Sequence, residues 1–277
     1  MAFLKLCNKD PLLSVLKDHF DASLARVPKA SLKPLLVLGL KDGKLNTLGQ
    51  VSDLFIEKPN SLPDIISEAI NKDLSGKRSG SMDIDFGLKI LEGFFKGFNL
   101  PSAGMSTAFS KAKNISYSFD GIRSQYFESL KLGALLGGQE LDVSNLSLKP
   151  FLSNKQNRLF VIVRTYQSKS FNIHFDKTFD AGLRADMSGL GELLSMDDSS
   201  VSISKKEEGG ILFSGNKYKT FAFQLVELEL EDDGLYIKQI LADNDHKVLR
   251  ENGQLPLSFI SDEFVMFDLD PINEPAI

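Results

Sequence analysis

Cysteine is almost absent from this sequence: Cys7 is the only one in 277 residues. A single thiol excludes an internal disulfide framework and any cysteine-rich metal site, and it fits a reducing compartment. Histidine is nearly as scarce. His19, His174 and His246 lie far apart without ligand spacing, so no metal centre is expected. Long hydrophobic runs are missing too: no stretch reaches the roughly 18 consecutive apolar residues of a membrane-spanning helix. The opening MAFLKLCNKD meets charge and proline by Pro11, before a secretory core can form. The expectation is a water-soluble, cytoplasmic chain. A basic excess is also lacking, with 32 Lys and Arg against 37 Asp and Glu, a formal charge of −5, and no basic stripe. That balance argues against a nucleic-acid partner.

Catalytic fingerprints are absent as well. There is no P-loop, no Gly-x-Gly-x-x-Gly, no Gly-x-Ser-x-Gly elbow and no His-Glu-x-x-His. Asp83 and Asp85 form a carboxylate pair, but they fall on the polar side of an alternating segment, where a solvated face accounts for them. The chain is read as a non-enzyme without metal or cofactor.

What is present is an ordinary globular composition, 42% hydrophobic and 25% charged, enough to bury a core and to exclude wholesale disorder. Asp10 as N-cap and Pro11 at the first helical position open a short amphipathic helix carrying Leu12, Leu13, Leu16 and Phe20. Leu35 to Leu40 and Leu45 to Val51 flank Asp42-Gly43 and read as a hairpin. A second helix is expected from Ser61, with Ile65, Ile66, Ala69 and Ile70 on one face, ending near Gly76. A third begins near Asp120, carries Ile122, Tyr126 and Leu130, and stops at Gly137-Gly138. Leu159 to Tyr166 reads as a strand. Phe221, Phe223 and Leu225, followed by Val226, Leu228 and Leu230, shift phase as at a β-bulge. Asp232-Asp233-Gly234 then turns into a strand from Leu235. Separate helices and antiparallel hairpins predict an α+β fold, a twisted antiparallel sheet with surrounding helices.

Two segments alternate with a period of two. Met82, Ile84, Phe86, Leu88 and Ile90 alternate with polar residues, and after a Pro101-to-Gly104 turn the pattern resumes with Met105, Thr107, Phe109, Ile115, Tyr117 and Phe119. This predicts a long hairpin from Ser81 to Asp120. Phe171, Ile173, Phe175, Phe179, Ala181, Leu183, Ala185 and Met187 form the second apolar row, and Val201 to Ser204 supplies a returning strand before the charged run Lys205 to Glu208. A soluble strand usually runs about five or six residues, a membrane-spanning one about 9–11 with apolar side chains outward. Periodicity alone leaves two readings open: short successive strands of a soluble sheet, or strands able to enter a bilayer. Strands of the second kind would have to close into a many-subunit barrel, since an isolated hairpin leaves unpaired edges in hydrocarbon.

The order of these features resembles the bacterial gasdermins. The similar parts are Cys7 ahead of a short helix, Arg26-Val27-Pro28 with Leu35 to Gly39, the Met82 to Phe119 segment, the Phe160 to Met187 block, and Tyr218 to Val226 before Asp233-Gly234-Leu235-Tyr236. The resemblance implies an autoinhibited precursor and a role in antiphage defence. A peptidase, caspase-like or trypsin-like, removes a C-terminal peptide; the freed body oligomerises on membrane lipids, inserts two β-hairpins in the inner membrane and kills the cell. It also implies a palmitoyl group on Cys7, the counterpart of the family's N-terminal cysteine. The precursor would be a cytoplasmic monomer.

The tail is informative in itself. After Arg250 there are six acidic residues and no Lys or Arg, so its removal leaves 31 acidic against 32 basic residues, a net charge of +1. Anionic lipid then attracts the body. Phe259, Ile260, Phe264, Val265, Met266, Phe267 and Leu269 supply an apolar anchor for the uncut tail. The polar Asp243 to Gly253 segment is the expected cut region, with Leu249 and Arg250 as candidates for the residue before the bond. The expected division is a pore-forming body, 1–245, and an autoinhibitory tail, 246–277. The rival is a lipid-binding or scaffold module that never inserts.

Overall fold

Two long neighbouring strands organise the chain. The computed structural model describes residues 16, 20–41, 44–70, 76–80, 84–98, 115–137, 139–154, 157–175, 201–206, 210–231 and 234–237. Within them β7 (Arg158–Phe175) and β9 (Gly210–Glu231) run antiparallel through the centre of a ten-stranded sheet. Each central strand carries short strands along its outer edge. On β7 these are β2 (Leu36–Lys41), β6 (Arg123–Tyr126) and β5 (Ile115–Asp120), in that order from its start. On β9 they are β8 (Val201–Lys206), β1 (Ser23–Lys29) and β10 (Gly234–Ile237). The strand β3 (Lys44–Gln50) adds to β2, and β4 (Ile66–Ala69) adds to β6.

The expected hairpin around residues 42 and 43 is present, Lys41 pairing with Lys44. Elsewhere pairing overrides local pattern. Ile66 to Ala69 is a strand rather than a helix, because its backbone pairs with β6; Leu62 and Ile65 stay exposed, so no buried helical face exists there. The helix expected from Asp120 starts nine residues later. Gly121, with a positive φ of 58°, bends the chain between β5 and β6, which continue along the same edge of β7. The helix α2 (Ser129–Gly137) follows and stops at Gly137 as expected. A short α3 (Lys149–Ser153) precedes β7.

The phase change after Leu225 has another cause than a bulge within β9. Leu225 packs in one cluster with Phe160, Ile162 and Phe223, and Val226 in another with Val161 and Leu228. Both faces of the sheet are buried there, so apolar residues are adjacent in sequence. The irregular pairing at that level puts the extra residue, Val163, on β7. Polar residues 167 to 170 do not end β7 either, since Gln167 and Ser168 are buried and hydrogen-bonded.

One face of the sheet is covered in two parts. Leu132, Leu135 and Leu136 of α2, Phe151 of α3 and a 3₁₀ turn at Val51–Leu54 lie over Leu159, Val161 and Val226. The rest lies under α1 (Ile84–Gly97). The outer side of α2 is open: a Cβ added at Gly133 meets nothing within 4 Å. Gly133→Ala should therefore stabilise the protein by about 0.5–1 kcal/mol through backbone entropy and helix propensity, read as a higher urea midpoint with unchanged slope.

Candidate membrane-insertion site

The far end of the sheet, beyond β6 and β1, has four strands in the order β5, β7, β9, β8. Alternation sorts their side chains. Ile115, Tyr117 and Phe119 of β5, Phe171 and Ile173 of β7, and Ile211 and Phe213 of β9 point to one face and are all buried beneath α1. The helix supplies Ile90, Leu91, Phe94, Phe95 and, just beyond its end, Phe98, at helical spacing with Gly87. Rings mesh across the layer. Phe94 lies 5.2 Å from Tyr117 and 5.4 Å from both Phe119 and Phe171, and Phe95 lies 5.0 Å from Phe213. Phe171 stacks on Phe213 at 4.8 Å and Phe119 on Phe221 at 3.7 Å. Nearby, burial pushes the Tyr166 hydroxyl well above its ordinary pKa, partly offset by the Arg164 charge.

Apart from Leu212, opposite Asn172 and Ser204, the other face of these strands is polar. Ser116, Ser118 and Asp120 of β5, Ser170, Asn172 and His174 of β7, Ser214 of β9 and Ser202 and Ser204 of β8 alternate with the apolar row. The Ser118 hydroxyl lies 3.3 Å from His174 Nε2, and Asn172 Nδ2 donates to Asp120 Oδ2 at 2.8 Å. Apolar on one side and polar on the other is the division a membrane barrel strand needs. Among the described residues no helix is long and apolar enough to cross a membrane, and no group of three or more His, Cys, Asp and Glu could hold a metal ion.

The expected inserting rows are placed unevenly. Ile84, Phe86, Leu88 and Ile90 lie on α1, not on a strand, so the hairpin expected from Ser81 to Asp120 is here a helix and the strand β5. The segment carries both periods: alternation to Ile90, and the 87, 90, 91, 94, 95, 98 spacing that buries a face on the sheet. The second spacing buries five large side chains, each contributing about 1.5–3 kcal/mol, and decides the conformation. Asp85 accordingly sits on a helix. In the second segment, Phe171, Ile173 and Phe175 lie on β7 as expected, but the returning strand does not: Phe171 pairs with Phe213 of β9, and β9 separates β7 from β8. Met82, Phe109, Phe179, Leu183 and Met187 lie outside the described residues. So do Cys7, the candidate cut residues Leu249 and Arg250, both sides of the boundary at 245 and 246, and Phe259, Ile260, Phe264, Val265, Phe267 and Leu269.

Sequence reasoning missed the helical spacing of α1, the strand β1, and the first half of β9. Gly97, at the end of α1, carries the clearest overlooked signal. A Cβ there would fall 2.3 Å from the Pro28 carbonyl oxygen, so the helix lies against β1 by virtue of that glycine.

The chain has counterparts among known proteins. A family model described as the Bacterial Gasdermin Family matches residues 25–235, and the chain belongs to that family. Gasdermin bGSDM of Vitiosangium sp. (strain GDMCC 1.1324) is 23% identical over 227 residues, covering 82% of this chain and 84% of that one. Gasdermin bGSDM of a Desulfuromonadales bacterium is 25% identical over 249 residues, covering 90% and 92%. Among solved structures, a bacterial gasdermin from Bradyrhizobium tropiciagri superposes with a TM-score of 0.58 at 14% identity, over 83% of this chain and 90% of that one. That likeness establishes the shared fold.

Proposed function

We propose that this gasdermin is the precursor of a membrane pore, held inactive while α1 covers the apolar face of the four-strand end. The observation that carries the reading is that face itself: Ile115, Phe171, Ile173 and Phe213 are buried in one cluster with the apolar side of α1, and the sequence of that helix retains strand periodicity in its first half. Lifting α1 would leave an apolar surface that only lipid or another protein can cover. The helix segment could then extend as a strand beside β5, and β7 and β9 could lengthen as the second hairpin. Because each hairpin has unpaired edges, several copies must close into one barrel, with the polar row lining the lumen.

The trigger is a cut after Leu249 or Arg250 by a caspase-like or trypsin-like peptidase, which releases the C-terminal tail. The net charge of the body rises from −5 to +1 for a cut after Arg250, or to 0 for a cut after Leu249, which favours approach to anionic lipid. A palmitoyl group on Cys7 would add membrane affinity. In the cell the monomeric cytoplasmic precursor becomes an inner-membrane oligomer that kills the host during phage infection. Nothing in this reading calls for catalysis.

The test is dye release from anionic vesicles before and after cutting between Asp243 and Gly253. Intact protein should be silent and cut protein should release the dye. Cut protein that binds vesicles yet never releases dye would leave a lipid-binding module in place of a pore.

A further inference from the structure

We infer a second functional feature, a binding site for a phosphate group built from Arg123, Lys169 and Tyr218 on the polar side of the sheet. Arg123 on β6 stands opposite Gln167 on β7, and its Nε donates to Gln167 Oε1 at 2.8 Å. Gln167 is only 3% exposed, and its amide nitrogen is occupied by Gln125 Oε1 at 3.0 Å and Thr220 Oγ1 at 3.2 Å. Thr220 in turn donates to the Leu32 carbonyl at 2.7 Å, which leaves its oxygen to accept from Gln167. This chain of bonds turns the Gln167 carbonyl oxygen towards Arg123 and fixes the guanidinium.

The other anchor is a ring. The Arg123 Cζ lies 3.7 Å from the centroid of Tyr218, and Lys169 Nζ lies 4.8 Å from the same centroid. The two cations are thus at most 8.5 Å apart, the sum of those two distances, and close enough to repel. Two other arginines in the sheet provide the comparison. Arg164 is stacked on Tyr126 and paired with Glu68, and Arg158 lies over Phe160 and is paired with Glu227. Among the described residues neither Arg123 nor Lys169 has a carboxylate partner. The outer edge of an immobilised guanidinium, two Nη donors in a fork, matches two oxygens of a phosphate, and the ammonium at the same ring adds a second positive charge to its field.

That phosphate can belong to a lipid headgroup or to a soluble anion, and the experiment below separates the two. Lys169 is two residues before Phe171, where the apolar row of β7 begins, and Tyr218 with Lys217 and Lys219 follows the corresponding row on β9. The geometry of the site stands on its own, whereas the lipid source rests on the proposed insertion.

The experiment uses the full chain and the variant Arg123→Gln/Lys169→Gln, with circular dichroism as the check on folding. Affinity is measured by calorimetry for glycerophosphoglycerol, a headgroup without tails, and for inorganic phosphate at matched ionic strength. Flotation with phosphatidylglycerol vesicles, and with phosphatidylcholine as control, is run after cutting. Binding of the headgroup and of phosphatidylglycerol vesicles, weakened about ten- to hundred-fold in the variant, supports the site with a lipid source. Binding of inorganic phosphate alone, lost in the variant, supports the site with a soluble anion as its ligand. No binding by the wild-type chain, or equal binding by both proteins, overturns the site. Dye release is scored separately: release by a protein that binds neither probe overturns the site alone, and headgroup binding without release overturns the pore alone.

Discussion

Replacing Gly97 by alanine should start dye release from the uncut protein. The new methyl would lie 2.3 Å from the Pro28 carbonyl oxygen and 3.0 Å from the Pro28 nitrogen. Both are backbone atoms, so no rotamer change relieves the overlap and either α1 or β1 must move. Overpacking of this kind costs about 1–3 kcal/mol. The better helix propensity of alanine returns about 1 kcal/mol at most, which leaves the folded precursor weakened at the contact that holds the roof. A lower melting temperature together with release from vesicles is the expected pair of results. A variant that melts with the wild type and stays silent would show that the seating of α1 on β1 is not what restrains the sheet end. Gly133→Ala, the same exchange on an open helix surface, is the matched control with the opposite sign.

Phe94→Ala should have the larger effect on stability. Phe94 is fully buried and touches rings on three sides, Tyr117, Phe119 and Phe171. Removing a ring from such a site costs about 3–5 kcal/mol, against a typical total of about 5–15 kcal/mol for a domain. The measurement is denaturant unfolding of the uncut protein, and the slope tells whether the helix end or the whole sheet is lost. Unfolding in a separate early step would assign the loss to α1 and the strands beneath it. A single transition shifted by less than about 1 kcal/mol would mean that the cluster rearranges to fill the space, contrary to the packing described here.

The parts of the fold legible in the sequence were those decided by near neighbours. The hairpin at residues 42 and 43, the stop of α2 at Gly137 and the apolar rows of β5 and β7 follow from turn chemistry and alternation within a few residues. Residues 66–69 and 123–126 carry too little pattern for a strand to be legible, since each is four residues long and its conformation is set by pairing, β4 with β6 and β6 with β7. Residues 210–219 gave no strand signal, since Gly210, Ser214, Gly215 and Asn216 dilute the pattern and the register comes from β7 and β8. Residues 84–97 are a different case. Two periods coexist, and the face available on the sheet selects the helical one. Arg123, Lys169 and Tyr218 were illegible as a group, because a bend at Gly121 and an irregular stretch of pairing between Ser168 and Ser170 bring them to one ring.

The folding back of β8 on β9 has a bearing on assembly. In this structure β8 occupies the outer edge of residues 210–215, with Lys206 opposite Gly210. For the proposed second hairpin to reach across a bilayer, β8 has to swing into line with β9, which adds six residues or about 20 Å of strand to a crossing of about 30 Å. The same swing strips β8 from the β9 edge and leaves a row of unpaired amides and carbonyls facing outward, a template for the next subunit. Elongation and the exposure of a docking edge are then one movement. A subunit that has not begun to extend keeps that edge of β9 paired with β8, and the open edge it presents is the six-residue β8 instead.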